Sequence, residues 1–216
     1  MKVTLRSAVI EDGLAILHIK EQLRLKLEDS TAKRLGGFLL GTSLAEYQQF
    51  IQQDVVLVAE CDAPRQVVGF AVVMNHASLA QSALLQRAEQ VQWETAFRTG
   101  FNAKHFAFFE QLGMLPDPAY RVYAKYLAFA ITWKIFQTHE ALFTTVLQVP
   151  FLNTAALSFI NVVGFEYAGM VDEVYPDIGR VKSNVYHLER QDFLAGLEQP
   201  KFRNFLARAR KLGYIA

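Results

Sequence analysis

Between Tyr120 and Gln137 the chain offers a long helical segment whose polar residues reduce to one stripe, Arg121, Lys125 and Thr132, at helical spacing. A helix this apolar has to be buried on most of its sides, so it must lie against a sheet and under further cover. The flanking sequence supplies the strands. Val55 to Glu60 and Gln66 to Met74 are β-branched runs on either side of a reversal at Asp62 and Pro64, which reads as an antiparallel hairpin. Val3 to Ala8, His105 to Met114, Leu142 to Val149, Phe165 to Val171 and Ser183 to Glu189 read as further strands, with Pro176 and Gly179 in the last turn.

Helices are expected between them. Glu11 to Leu27 places Leu14, Leu17, His18, Leu23 and Leu27 on one face, and Gly36 and Gly37 form a turn after it. Ser43 to Glu46 fits a capping box that opens a helix to about Gln53. Residues 78 to 93 read as a helix and Arg98 to Lys104 as a polar loop, together an insertion over 77–104 whose role is not legible. Pro116, Asp117 and Pro118 break the chain before the long helix, and Asn153 to Val162 forms a short one. Strands in a meander combined with β-α-β crossovers call for an α/β (α+β) domain, one mixed, mostly antiparallel sheet flanked by helices.

At 216 residues, 52% of them hydrophobic, the chain can bury one sizeable core, and a single domain over 1–216 is expected. Lys and Arg number 22 against 21 Asp and Glu, so net charge supplies no general drive toward nucleic acid or anionic lipid. The local exception is the C-terminal extension, about 191–216. There Lys201, Arg203, Arg208, Arg210 and Lys211 alternate with Phe202, Phe205, Leu206 and Leu212. That is a helix packed on the domain with a solvated basic face, in preference to a membrane or partner contact. The single cysteine, Cys61, reads as a turn residue, cannot form an internal disulfide and suits the cytoplasm. No run is long enough to span a membrane, and the hydrophobicity is as compatible with a homodimer as with a well-filled core.

Several local sequences resemble the Gcn5-related N-acetyltransferase superfamily over roughly residues 3 to 190. Leu5-Arg6-Ser7-Ala8 followed by Asp12 looks like its opening strand and helix, and Val56 to Glu60 with Val68-Gly69-Phe70 like its central hairpin. Asn153-Thr154-Ala155-Ala156 running to Gly164-Phe165 is similar to its late helix beside the cofactor thiol, with the Asn-to-Gly spacing matching. The resemblance implies the acyl-CoA N-acyltransferase fold and acetyl-CoA as co-substrate. It places Leu112, Gly113, Met114, Arg121, Val122, Tyr123, Ala124, Lys125, Tyr126 and Asn153 near the cofactor.

The phosphate segment departs from the family pattern. Phosphate oxygens need a row of backbone N–H groups at a helix start with little bulk, and Tyr126 stands at the second small position unless its side chain turns outward. Arg121 and Lys125 oppose the dipole at the helix start, so an anion there explains them at about 0.3 to 1 kcal/mol each, and simple solvation explains them too. Asp117 and Pro118, in turn, suit an early cap that sets a carboxylate where a phosphate would sit.

Transfer to an amine needs a base, an oxyanion donor and a proton for the thiolate. Glu110, among Phe106, Phe108, Phe109 and Leu112, is the candidate base, since aromatic surroundings raise a carboxyl pKa; an edge or solvent-facing position is the alternative. In the family a tyrosine protonates the thiol, seven residues after the helix-opening Asn; here that position is Ile160, which leaves water or another tyrosine, with Tyr123 and Tyr126 nearby. The five histidines lack metal-ligand spacing, and no metal is expected. The resemblance implies a small-molecule or peptide amine as acceptor. The altered positions also suit a silent binding module, or a longer or carrier-protein-bound acyl donor.

Overall fold

Two strands that share one short turn set the frame. β2 (Val55–Asp62) and β3 (Arg65–Met74) pair antiparallel from Val55↔Val73 to Asp62↔Arg65, so the reversal takes only Ala63 and Pro64. The structure is a computed structural model that describes residues 2–24, 37–38, 41–82, 84–85, 88–94, 105–175 and 178–215. The predicted Gly36, Leu27 and Pro176 and the predicted loop from Arg98 to Lys104 lie outside these residues.

Around the hairpin, β1 (Val3–Ser7), β4 (Gln92–Trp93), β5 (Phe106–Met114), β6 (Ala141–Val149), β7 (Glu166–Tyr175) and β8 (Gly179–Glu189) complete one sheet in the order β1-β2-β3-β5-β6-β8-β7-β4. β5 and β6 are parallel neighbours and every other pair is antiparallel. The mixed, mostly antiparallel sheet expected from the sequence is therefore present.

One face is covered by α1 (Gly13–Gln22) and α2 (Leu44–Gln53), with Ile16, Ile19 and Tyr47 buried against Val56, Val58, Phe70 and Val72. Ser43 and Glu46 form the predicted capping box at the start of α2. The buried stripe of α1 is not the predicted one: Leu14 is 64% exposed, and Ile16, Ile19 and Lys20 face inward. A 3-10 turn at Ile10–Asp12 shifts the phase of the helix, which ends at Gln22.

The other face carries α4 (Arg121–Ile135), α5 (Thr154–Val163), α6 (Arg190–Leu197) and α7 (Pro200–Lys211). Leu127, Ala128 and Ile131 of α4 are fully enclosed. Thr132, read as part of a polar stripe, is buried as well and gives its hydroxyl proton to the Ala128 carbonyl at 2.8 Å. The C-terminal extension packs as expected: Phe202, Leu206 and Ala209 are buried. Cys61 belongs to β2 and the core rather than to a turn.

The insertion departs most from its sequence reading. α3 (His76–Ala80) is short and capped by Asn75, whose side chain accepts from Ser78 N–H at 3.0 Å. Further on, Gln92 and Trp93 form β4 instead of continuing a helix. Trp93 gains more as a strand residue there, its ring meeting Phe143 edge-on at 5.9 Å.

At the end of α5, Gly164 adopts φ +93° and its N–H reaches Ile160 O at 3.1 Å, an αL cap. A Cβ there would meet nothing within 4 Å, so only backbone strain opposes substitution. Gly164→Ala should cost about 1 kcal/mol, measured as a lower urea midpoint at unchanged slope.

Candidate functional site

β5 and β6 run side by side only from Phe106↔Ala141 to Phe109↔Thr144, where the Thr144 hydroxyl donates to the Phe109 carbonyl at 2.9 Å. Beyond that clasp each strand keeps its other neighbour, β5 with β3 to Met114↔Gly69 and β6 with β8 to Val149↔Lys182. The sheet therefore opens between them. A cleft of about 940 Å³ occupies the opening, walled by Glu110 to Met114 on one side and Thr145 to Leu147 on the other.

The opening begins at a bulge. Val72 pairs with Gln111 and Val73 with Phe109, so Glu110 is the extra residue of β5. A bulge breaks strand alternation: Phe109 and Leu112 both pack on the α4 face, leaving Glu110 and Gln111 toward α1 and α2. Gln111 is buried; it accepts from the Tyr47 hydroxyl at 2.7 Å and donates to Thr42 Oγ1 at 3.4 Å. Lys20, 3% exposed, donates its Nζ to the same Thr42 hydroxyl and lies over the Phe38 ring at 5.1 Å. Burial pulls the Lys20 pKa down, and Glu110 is the foremost of the carboxylates that push it back. Burial also pushes the Tyr47 phenol well above its ordinary value, so it stays a donor.

Backbone donors face the opening too. Leu115 spends its N–H on Val68 O of β3, at 2.8 Å. Strand alternation then turns the N–H groups of Met114 and Leu112 to the edge that β6 has left, and that of Gly113 toward β3. Two N–H groups on an unpaired edge, a carboxylate at the bulge and a floor of Ala156, Phe159 and Ile160 suit a planar acyl group whose carbonyl oxygen gains charge.

No family model matches the sequence, and no curated protein matches it. Solved structures do. An N-acetyltransferase from Staphylococcus aureus Mu50 superposes with a TM-score of 0.58 at 16% identity, covering 88% of this chain and 99% of its own. The ribosomal-protein-S18-alanine N-acetyltransferase from Escherichia coli gives 0.56 at 14% identity, over 87% and 93%. YncA from Salmonella typhimurium, solved with its cofactor acetyl-CoA, gives 0.52 at 16%, over 88% and 95%. The chain has the Gcn5-related N-acetyltransferase fold.

On this acetyltransferase fold most of the predicted cofactor residues come together. Leu112, Gly113, Met114, Arg121, Ala124, Lys125 and Asn153 all line the cleft, as does Glu110. Asn153 caps α5, accepting from Ala156 N–H at 3.1 Å. Val122, Tyr123 and Tyr126 are not among the lining residues. Tyr126 is buried, stacked on Phe205 of α7 at 4.6 Å, with the Arg208 guanidinium 5.9 Å from its ring. Its bulk is thus absorbed by the C-terminal helix, and the start of α4 is left clear.

The entry to α4 differs from a plain helix start. Asp117 accepts from Ala119 N–H at 2.8 Å, and the Tyr120 N–H goes to Asp117 O at 3.0 Å. A 3-10 turn, Pro118–Tyr120, therefore precedes the helix and uses these donors, and the Arg121 N–H goes to Pro118 O. The Arg121 and Lys125 side chains stand exposed at this end and line the cleft.

Ile160 is buried and lines the cleft where the family carries tyrosine. The tyrosine in the lining is Tyr175, which neither sequence candidate anticipated; its hydroxyl donates to Glu173 at 3.3 Å. Lys20 was missed as well. Its signal was a lysine in register with Ile16 and Ile19 on the inner face of α1.

Proposed function

We propose that this protein transfers an acetyl group from acetyl-CoA to a primary amine by direct attack. The observation that carries the reading is the opening of the sheet between β5 and β6 at the Glu110 bulge, lined by the edge of Leu112 and Met114. Acetyl-CoA fits the residues present: the pantetheine arm would lie along the free edge of β5, and the phosphates would face Arg121 and Lys125. The cleft volume is within the range of ordinary ligand sites.

Glu110 takes the proton from the attacking ammonium, and the amine nitrogen then bonds to the thioester carbonyl carbon. The N–H groups on the free edge hold the oxygen as it becomes negative. Collapse breaks the carbon–sulfur bond and releases CoA; the thiolate takes a proton from water or from Tyr175, since Ile160 has none to give, and the second proton shed by the nitrogen replaces it, leaving a neutral amide. No nucleophilic side chain is required.

Calorimetric titration with acetyl-CoA tests the reading. Saturable binding is expected, and Arg121→Glu should weaken it about tenfold, equivalent to about 1.4 kcal/mol, with a steeper loss in the parent as salt is raised. No heat of binding at millimolar ligand would end the acetyl-CoA reading and favour a binding module without turnover.

A further inference from the structure

Described residues between β3 and β5, Leu79, Leu84, Leu85, Ala88, Val91 and Trp93, roof a second cavity. It holds about 240 Å³, with a floor that includes Phe106, Phe108, Phe143 and Val185 and a roof that includes Leu85 and Trp93. It shares Glu110, Thr145, Tyr175, Val181 and Ser183 with the cleft, so the two spaces meet at the bulge.

The Trp93 end of the roof is fixed by strand pairing. β4 pairs with Met170 and Gly169 of β7, and a Cβ on Gly169 would stand 2.6 Å from Gln92 O. Gly169 has φ +158° as well, so a side chain there would push β4 off the sheet. The Trp93 indole N–H is already spent on Ala88 O, at 3.0 Å. What Trp93, Phe106 and Phe143 offer the cavity is therefore hydrocarbon, the last two edge-on at 5.4 Å. The charged residues of the described lining are Glu110, which the cleft shares, and Glu173, which accepts from the hydroxyl of the shared Tyr175.

We infer that this cavity seats the acceptor, and that the acceptor is a small primary amine on an apolar body, its amine at Glu110 and its body beneath Trp93. The inference rests on the acetyl-transfer reading and adds the substrate class. An apolar wall forfeits free energy against any polar group that it desolvates without a partner, which excludes polyamines and hydroxylated amines from the deep end. A volume below the usual 300–1,000 Å³ of ligand sites limits the body to about the size of one ring or one branched alkyl group. The bond that forms is nitrogen to acetyl carbon, the bond that breaks is carbon to sulfur, and the products are the N-acetyl amine and CoA.

Initial rates at saturating acetyl-CoA test this with 2-phenylethylamine, isoamylamine, ethanolamine, spermidine and an alanyl peptide. The first two should exceed ethanolamine in kcat/KM by at least about thirtyfold, the worth of burying one such body. Val171, buried on β7, lines the second cavity alone. Val171→Phe should therefore cut kcat/KM for 2-phenylethylamine at least tenfold while acetyl-CoA affinity holds. Leu85→Gln on the roof should act in the same direction, which guards against a misfolded Phe variant. With Trp133→Phe as background, 2-phenylethylamine should also shift Trp93 fluorescence saturably without any donor present. Preference for ethanolamine, spermidine or the peptide, with acetyl-CoA bound normally, overturns the acceptor class and spares the acetyl-transfer reading. Failure to bind acetyl-CoA overturns both.

Discussion

Glu110→Gln should lower kcat/KM for acetyl transfer by about 10²- to 10⁴-fold, the usual worth of a general base, while the acetyl-CoA dissociation constant stays close to that of the parent. The bulge is the reason for so large an effect from one atom. By adding a residue between Phe109 and Gln111 it turns the Glu110 side chain away from the α4 core, to the junction of the two cavities. Gln111, the next residue, is tied to Tyr47 and Thr42 and holds the strand in that register. The substitution also removes a carboxylate that favours the charged form of buried Lys20, so a melting curve belongs beside the kinetics. A variant within tenfold of the parent would remove the base from this account. Loss of acetyl-CoA binding would make Glu110 a structural residue.

Acid should destabilise the fold through His139. The ring is buried, stacked on His105 at 4.4 Å, with Nε2 accepting the His76 N–H at 3.2 Å. Nε2 is therefore unprotonated, and Thr138 lies beside Nδ1 at 2.9 Å. Burial first, then the neighbouring His105, drop the His139 pKa from 6.5 to about 4. Above pH 6.5 the ring is neutral whether folded or not. Between 6.5 and 4 the unfolded chain binds a proton that the folded chain refuses, so stability falls as pH falls, by about 3 kcal/mol in total. Urea unfolding at pH 7.5, 6, 5 and 4.5 should show the loss, and His139→Gln should flatten it. Carboxyls add to the loss at the acid end, among them Asp12, which Arg6 holds below its ordinary value against its own burial and which the unfolded chain protonates first, so the comparison of slopes carries the result. Equal slopes in the two proteins would contradict it.

Much of the sheet was legible because its signals are local. Ser43 with Glu46, the Asp62–Pro64 reversal and the Asn153-to-Gly164 spacing each specify their own few residues, and each is found as read. The cleft residues on β5 and at the start of α4 were reachable for the same reason, through a resemblance that is itself local. What was not legible depends on distant partners. Tyr126 reads as an obstruction until α7 is seen to receive its ring, and the inner face of α1, with Lys20 on it, depends on the phase set by a 3-10 turn. Gln92 and Trp93 carry too short a pattern to announce a strand, and only Gly169, far along the chain, makes room for them. The Glu110 bulge leaves no trace in composition at all, because it is a matter of pairing register with β3.

The central claim is that the donor lies in the gap that β6 leaves along β5. Amide hydrogen exchange with and without acetyl-CoA measures it most directly. The account predicts slowed exchange at Leu112 and Met114, with lesser protection at the starts of α4 and α5 near Lys125 and Ala156, and none along β1. Protection confined to another part of the sheet, or no change at saturating acetyl-CoA, would contradict it.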